Sequence, residues 1–299
     1  MDQENNCNYI SSRGILKSCD IHSTTPVSGI NTLINYNFYN ISYNSIIYIC
    51  IGALKYFIIN IVPHLPCKII LVTGDNDETC PDDVFKTNDE FLNFIESDNI
   101  THWFAQNCVA KHPKITQIPI GLDYHTMAAQ NHHWGPQTSP IEQEKILLDV
   151  KNSSKPFWER EIKAHSNFHF FMGTKYGYDR IDAKNNLQEE LIYYEPKQNP
   201  RLETWINQSK YAFVISPLGN GMDCHRTWEA LCLGCIPIVK TSDLDQLYED
   251  LPVLIVKEWS NVSKELLEQT IEEYKNKNFN YDKLTLKYWI NLINLYKNI

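Results

Sequence analysis

Arg226 and Glu229 stand three residues apart in the stretch YAFVISPLGNGMDCHRTWEALCLGCIPIVK, residues 211–240. On a helix that spacing puts both on one face. A guanidinium there can grip a phosphate, and a carboxylate can accept hydrogen bonds from sugar hydroxyls. Ser216, Gly219, Asn220 and Gly221 lie just ahead in a loop, and His225 adds a further donor. The combination predicts that Arg226 holds a diphosphate while Glu229 receives ribose hydroxyls. A plain i,i+3 ion pair on a crossover helix would explain either residue alone. The loop, the arginine and the glutamate together favour a nucleotide site.

The elements needed to position these side chains are legible around them. Residues 211–215 are aromatic and β-branched, the pattern of a buried strand. Pro217, Gly219 and Gly221 break that pattern into a tight loop. Asp223 reads as an N-cap, residues 224–233 as a helix ended by Gly234, and residues 236–239 as a second strand. The unit is βαβ, with a glycine loop before a helix N-terminus whose free N–H groups favour an anion.

This stretch resembles the C-terminal domain of exostosin-like glycosyltransferases with the GT-B fold, through Ser216, Pro217, Gly219, Arg226, Glu229-Ala230-Leu231 and residues 234–239. A weaker echo lies in HPKITQIPIGLDYHT, residues 112–126. The resemblance implies an α/β GT-B architecture, two Rossmann-like domains facing a cleft. It implies transfer from a UDP- or GDP-linked sugar to a hydroxyl acceptor in glycan synthesis, with inversion and without a required cofactor. A divalent metal is possible but not expected, because cationic side chains would stabilise the leaving diphosphate. Animal exostosins are membrane-anchored, and this chain shows no such anchor.

The acceptor side must supply a base. Asp20 and His22 lie in the polar run SSRGILKSCDIHS, and Asp123 and His125 follow the strand-like run at 115–120; these four are the base candidates. Gly173-Thr174-Lys175-Tyr176-Gly177 is a second glycine loop, making Lys175 and Arg180 secondary phosphate candidates. Asp75-x-Asp77 after a strand raises an alternative, a metal-dependent GT-A transferase, although one such pattern is expected by chance in an Asp-rich chain. A non-catalytic nucleotide- or carbohydrate-binding relative is the other alternative. Asp243-x-Asp245 reads as helix capping. His165 and His169 sit in an extended segment, too far apart to share an ion.

With 299 residues the chain has room for two domains, expected at 1–158 and 159–283, with a helix within 284–299 crossing back onto the first. Strands are expected at 46–50, 68–72, 100–105, 115–120, 168–172 and 251–256, alternating with helices, which implies parallel sheets. A net charge of −9 argues against a nucleic-acid partner. The nine cysteines form no framework and read as reduced, with Cys232 and Cys235 in the core. The apolar run 46–62 is interrupted by Gly52, Lys55 and Asn60, so a strand and helix explain it better than a membrane span. No signal peptide is recognisable at MDQENNCNYI. A cytoplasmic protein is expected.

Overall fold

Runs of β-branched residues buried on both faces build two parallel sheets, as such runs do when helices cover each side. The computed structural model describes residues 3–23, 29–34 and 36–298. After a short helix α1 (Ser12–Lys17), the first unit runs β1 (Ser45–Cys50), α2 (Ile51–Asn60), β2 (Ile69–Gly74), α3 (Asn88–Ile95), β3 (Ile100–Ala105) and β4 (Ile115–Gln117). Its strands pair in parallel in the order β1-β2-β3-β4. Helices α4 (His125–Ala129) and α5 (Pro140–Ser153) follow, α5 closed by a Ser139/Glu142 capping box.

The second unit is β5 (Glu161–Ser166), α6 (Tyr178–Asn186), β6 (Ile192–Tyr194), α7 (Arg201–Gln208), β7 (Tyr211–Ile215), α8 (His225–Cys232), β8 (Ile236–Lys240), β9 (Leu254–Val256) and α9 (Lys264–Tyr274). Its parallel order is β6-β5-β7-β8-β9. The chain leaves β5 towards one edge and returns to its other side at β7. Loops after β5 and β7 therefore diverge and open a crevice at the carboxyl ends of the strands.

Alternation of side chains assigns each sheet face to a different core. Ile47, Ile49 and Leu71 pack under α2 and α3, and Phe213, Ile215 and Ile238 pack under α9. The opposite faces belong to one shared core, in which Ile46, Tyr48 and Val72 of the first sheet are continuous with Val214 and Val239 of the second and with Trp228 of α8. The last helix, α10 (Leu286–Asn294), joins this core through Leu286, Trp289 and Ile293. It lies against the first unit: Leu286 N donates to Asn8 O, and the Tyr296 ring centroid is 3.9 Å from that of His102. Among the described residues no helix is long and apolar enough to cross a membrane, and 46–62 divides into β1, α2 and a 3-10 turn.

Two local expectations are corrected, and one helix is added. The strand opening the second unit is β5 at Glu161–Ser166, whereas the aromatic run 168–172 is loop, with Phe171 77% exposed. Polar residues at the half-exposed start of β5 hid it. Residues 12–17 within the polar N-terminal run form a helix, because the Ser11 hydroxyl accepts from Gly14 N and caps it. The N-cap of α8 is Cys224, while the Asp223 carboxylate reaches the first unit. All nine cysteines are free thiols.

Candidate functional site

The crevice after β5 and β7 opens into a cleft of about 760 Å³ between the two units. Its wall on the second unit is cationic. Arg180 in α6 is 7% exposed, donating from Nε to Leu218 O at 3.0 Å and from Nη1 to His169 O at 3.3 Å. Half-buried Arg226 in α8 reaches Pro217 O at 3.5 Å. Both guanidiniums lie on the Phe168 ring, 5.9 Å and 5.4 Å from its centroid. Among the described residues no carboxylate oxygen lies within 4.0 Å of either. Burial lowers both, Arg226 to about 10, and both remain cationic near neutrality. Gly219 leaves room for the Arg180 head group: a Cβ there would sit 2.7 Å from Arg180 Nη2 and displace the guanidinium.

Glu229 pairs within its own unit, with Arg201 instead of Arg226. Its Oε1 lies 3.8 Å from Nη2 of Arg201, the first residue of α7. Arg201 also donates to Asp123 O at 2.5 Å and to Gln143 Oε1 at 2.9 Å, and its guanidinium lies 4.4 Å from the Trp134 ring centroid. The Asp123 carboxylate accepts from Thr126 N at 3.0 Å and Thr126 Oγ1 at 2.8 Å. Burial pushes that carboxyl up, but His125, His225 and Arg201 with the Thr126 N–H hold it well below the usual range. Such a carboxylate is an anchor and a poor base.

Gly121 links the halves. With φ +65°, its Cβ position is blocked by the Ile10 carbonyl, and its own carbonyl accepts from His225 Nδ1 at 2.7 Å. A carbonyl only accepts, so Nδ1 of His225 bears a hydrogen. Buried Asp223 is the second link, accepting from Ile120 N at 2.7 Å and Trp228 Nε1 at 2.8 Å. Burial exceeds these bonds and raises its carboxyl to about 6. Asp77 lines the cleft from the first unit as an exposed residue, its carboxyl raised by partial desolvation against the lowering effects of His225 and an Asn220 hydrogen bond.

The cleft gathers Gly219, Asn220, Gly221, His225, Arg226, Glu229, Arg180 and Asp123. Other candidates point elsewhere. Asp20 accepts from Ile46 N at 2.8 Å and pairs with Lys297 at 2.8 Å, at the amino end of β1, opposite the carboxyl edge. His22 bonds the neighbouring Ser23 carbonyl and does not line the cleft. His125 stands behind Asp123, Nδ1 to Oδ1 3.5 Å, with burial lowering its pKa. The Ser216 hydroxyl braces the loop to Thr227 at 2.8 Å. Lys175 pairs with Asp83 at 2.9 Å on the surface. Asp75 is held by Arg13 at 3.4 Å, so the D-x-D pair is split between a buried ion pair and the cleft. Among the described residues no group of three or more His, Cys, Asp or Glu is arranged to hold a metal. Asp245 does not cap a helix; it opens a 3-10 turn and its carboxylate accepts from Ser242 N at 2.9 Å, bracing the preceding loop.

Arg201, Phe168 and Glu195 escaped the sequence reading, since nothing local marks a helix-initial arginine, a loop phenylalanine or a glutamate after an unread strand. The Glu195 side chain is 3% exposed and lines the cleft. Burial raises its carboxyl, but His165, Asn207 and Asn199 outweigh burial and bring it down to about 2.

Two Rossmann-like α/β units facing a ligand-sized cleft define a GT-B fold. No family model matches the chain, and no curated protein matches it. Among solved structures it is similar to one described as trehalose-6-phosphate from E. coli bound with UDP-2-fluoro glucose, at 10% identity over 90% of this chain and 74% of that one, TM-score 0.34. It is also similar to alpha,alpha-trehalose 6-phosphate synthase from Burkholderia multivorans, at 10% identity over 90% and 72%, TM-score 0.38. With one residue in ten identical, the chemistry of the cleft has to be read from this chain's own side chains.

Proposed function

We propose that this protein is a glycosyltransferase that takes a sugar from a nucleoside-diphosphate sugar and passes it to a hydroxyl acceptor. One observation carries the reading: Arg180 and Arg226 share the Phe168 ring at the crevice between β5 and β7 and have no carboxylate partner among the described residues. One buried and one half-buried cation with unused donors call for a dianionic ligand. Positive charge placed where the diphosphate leaves stabilises the transition state, the role a metal would otherwise fill.

Opposite that wall, Asp77 is our choice for the base that deprotonates the acceptor. It lines the cleft, and its raised pKa moves it towards working pH, unlike that of Asp123. Inversion, metal independence and the exostosin-like affinity belong to the same proposal. The test pairs two variants in calorimetry and turnover with UDP- and GDP-sugars. Arg226→Ala weakens nucleotide binding about 100-fold. Asp77→Asn keeps donor affinity and loses about 100-fold or more in kcat, with or without EDTA. Unchanged affinity in Arg226→Ala removes the site assignment. Unchanged kcat in Asp77→Asn removes the base.

A further inference from the structure

Past the guanidiniums the cleft ends in a corner built by Ser166 at the end of β5, Glu195 just after β6 and Asn199 just before α7. Ser166 is 1% and Asn199 8% exposed, yet Ser166 Oγ and Asn199 Oδ1 have no hydrogen-bond partner. The Asn199 amide is oriented by its neighbour. Its Nδ2 lies 3.0 Å from Glu195 Oε1, a carboxylate oxygen only accepts, and so the free end is the acceptor Oδ1. Glu195 Oε1 also takes Asn207 Nδ2 at 3.0 Å, whereas Oε2 has only the Thr204 hydroxyl at 3.5 Å. The corner therefore offers two under-used acceptors, Glu195 Oε2 and Asn199 Oδ1. Buried acceptors left unmet are costly, so a ligand bringing donors is favoured.

An aromatic path connects this corner to the cations. Phe168, which carries both guanidiniums, lies 5.5 Å from Phe170, and Phe170 lies 5.5 Å from Tyr194, the residue before Glu195. Phe170 is 41% exposed, leaving ring surface for a flat heterocycle. Resting on the reading of the cleft as a nucleotide-sugar site, we propose that this corner takes the donor's base and selects guanine. Guanine presents two adjacent donors on one edge, its ring N1–H and its 2-amino group. Uracil has a single N–H between two carbonyls, which would face the carboxylate. Adenine and cytosine each set an acceptor nitrogen beside their amino group.

The test is calorimetry on the full chain with GDP, IDP, UDP, CDP and ADP. GDP binds about 10- to 100-fold more tightly than UDP, the range expected of one good bidentate base contact. IDP, which lacks only the 2-amino group, loses most of that margin in the unaltered protein. Glu195→Gln erases the preference for GDP while Arg226→Ala weakens all diphosphates alike. Equal or tighter binding of UDP, still dependent on Arg226, overturns the guanine assignment and leaves the nucleotide site standing. Binding of none of the five overturns both.

Discussion

Arg201 and Arg226 line the same cleft and carry the same charge, but they belong to two differently built regions. Arg201 is closed in by a carbonyl, an amide oxygen, two carboxylates within 3.9 Å and the Trp134 ring. Arg226 has one carbonyl at 3.5 Å and the Phe168 ring. The first guanidinium is spent on joining the units. The second holds its donors in reserve. Charge in a cleft is thus no guide to ligand binding until its partners have been counted.

Removing Arg201 should separate the two roles most widely. Arg201→Ala leaves Asp123 and Glu229 in the interface without their cation, a loss of about 3–5 kcal/mol by analogy with broken buried pairs. Thermal unfolding then shifts down by roughly 6–20 °C, taking about 2–4 °C per kcal/mol for a chain somewhat smaller than this one. Arg226→Ala leaves no carboxylate stranded and should move the midpoint little while weakening nucleotide binding. Equal midpoint losses in the two variants would break the comparison.

Asp223 is the acidic counterpart of Arg201, a charge spent on holding Ile120 to α8 through its bonds to Ile120 N and Trp228 Nε1. Its carboxyl rises from the ordinary 3.8 to about 6 in the folded chain, driven by burial. The native state therefore binds the proton more tightly than the unfolded state. Stability from this group is present below the unfolded value and is lost as pH rises through about 6, by about 3 kcal/mol in all. His102 works oppositely: burial, then His112 and Lys114, lower it to about 4, so its contribution is lost as pH falls from 6.5 through that value. In denaturant melts, Asp223→Asn should gain on wild type by about 3 kcal/mol between pH 4 and pH 7. A flat difference curve would mean that Asp223 is ionised throughout.

These pairings also explain what could be read in the chain beforehand. The unit 211–240 was legible because its parts are neighbours: β7 falls on 211–215, Gly219 lets Arg180 approach, and α8 presents Arg226. The α/β alternation was legible from periodicity alone. Arg201 was not, since its partner Asp123 lies 78 residues away, and the bond from His225 to Gly121 spans 104. Glu195 was hidden for a similar reason, being brought to the cleft by a three-residue strand whose aromatic pattern is too short to register. Asp20 looked available only because Lys297 is at the far end of the chain.

Lys175 gives the smallest and cleanest contrast. In a glycine loop near the diphosphate wall it has the appearance of a phosphate ligand, yet its Nζ lies 2.9 and 3.1 Å from the Asp83 oxygens, and its side chain is 49% exposed. Hydrogen bonds and charge from Asp83 raise the lysine even though desolvation opposes this, which marks a committed pair. An exposed pair of this kind contributes about 0.5 kcal/mol or less once solvent screening is counted. Lys175→Ala should therefore leave the melting midpoint within about 1–2 °C of wild type and nucleotide affinity within about twofold. If affinity instead fell as far as in Arg226→Ala, the lysine would have to leave Asp83 when the ligand arrives. The reserve of free cations would then extend beyond α6 and α8 to the loop before α6.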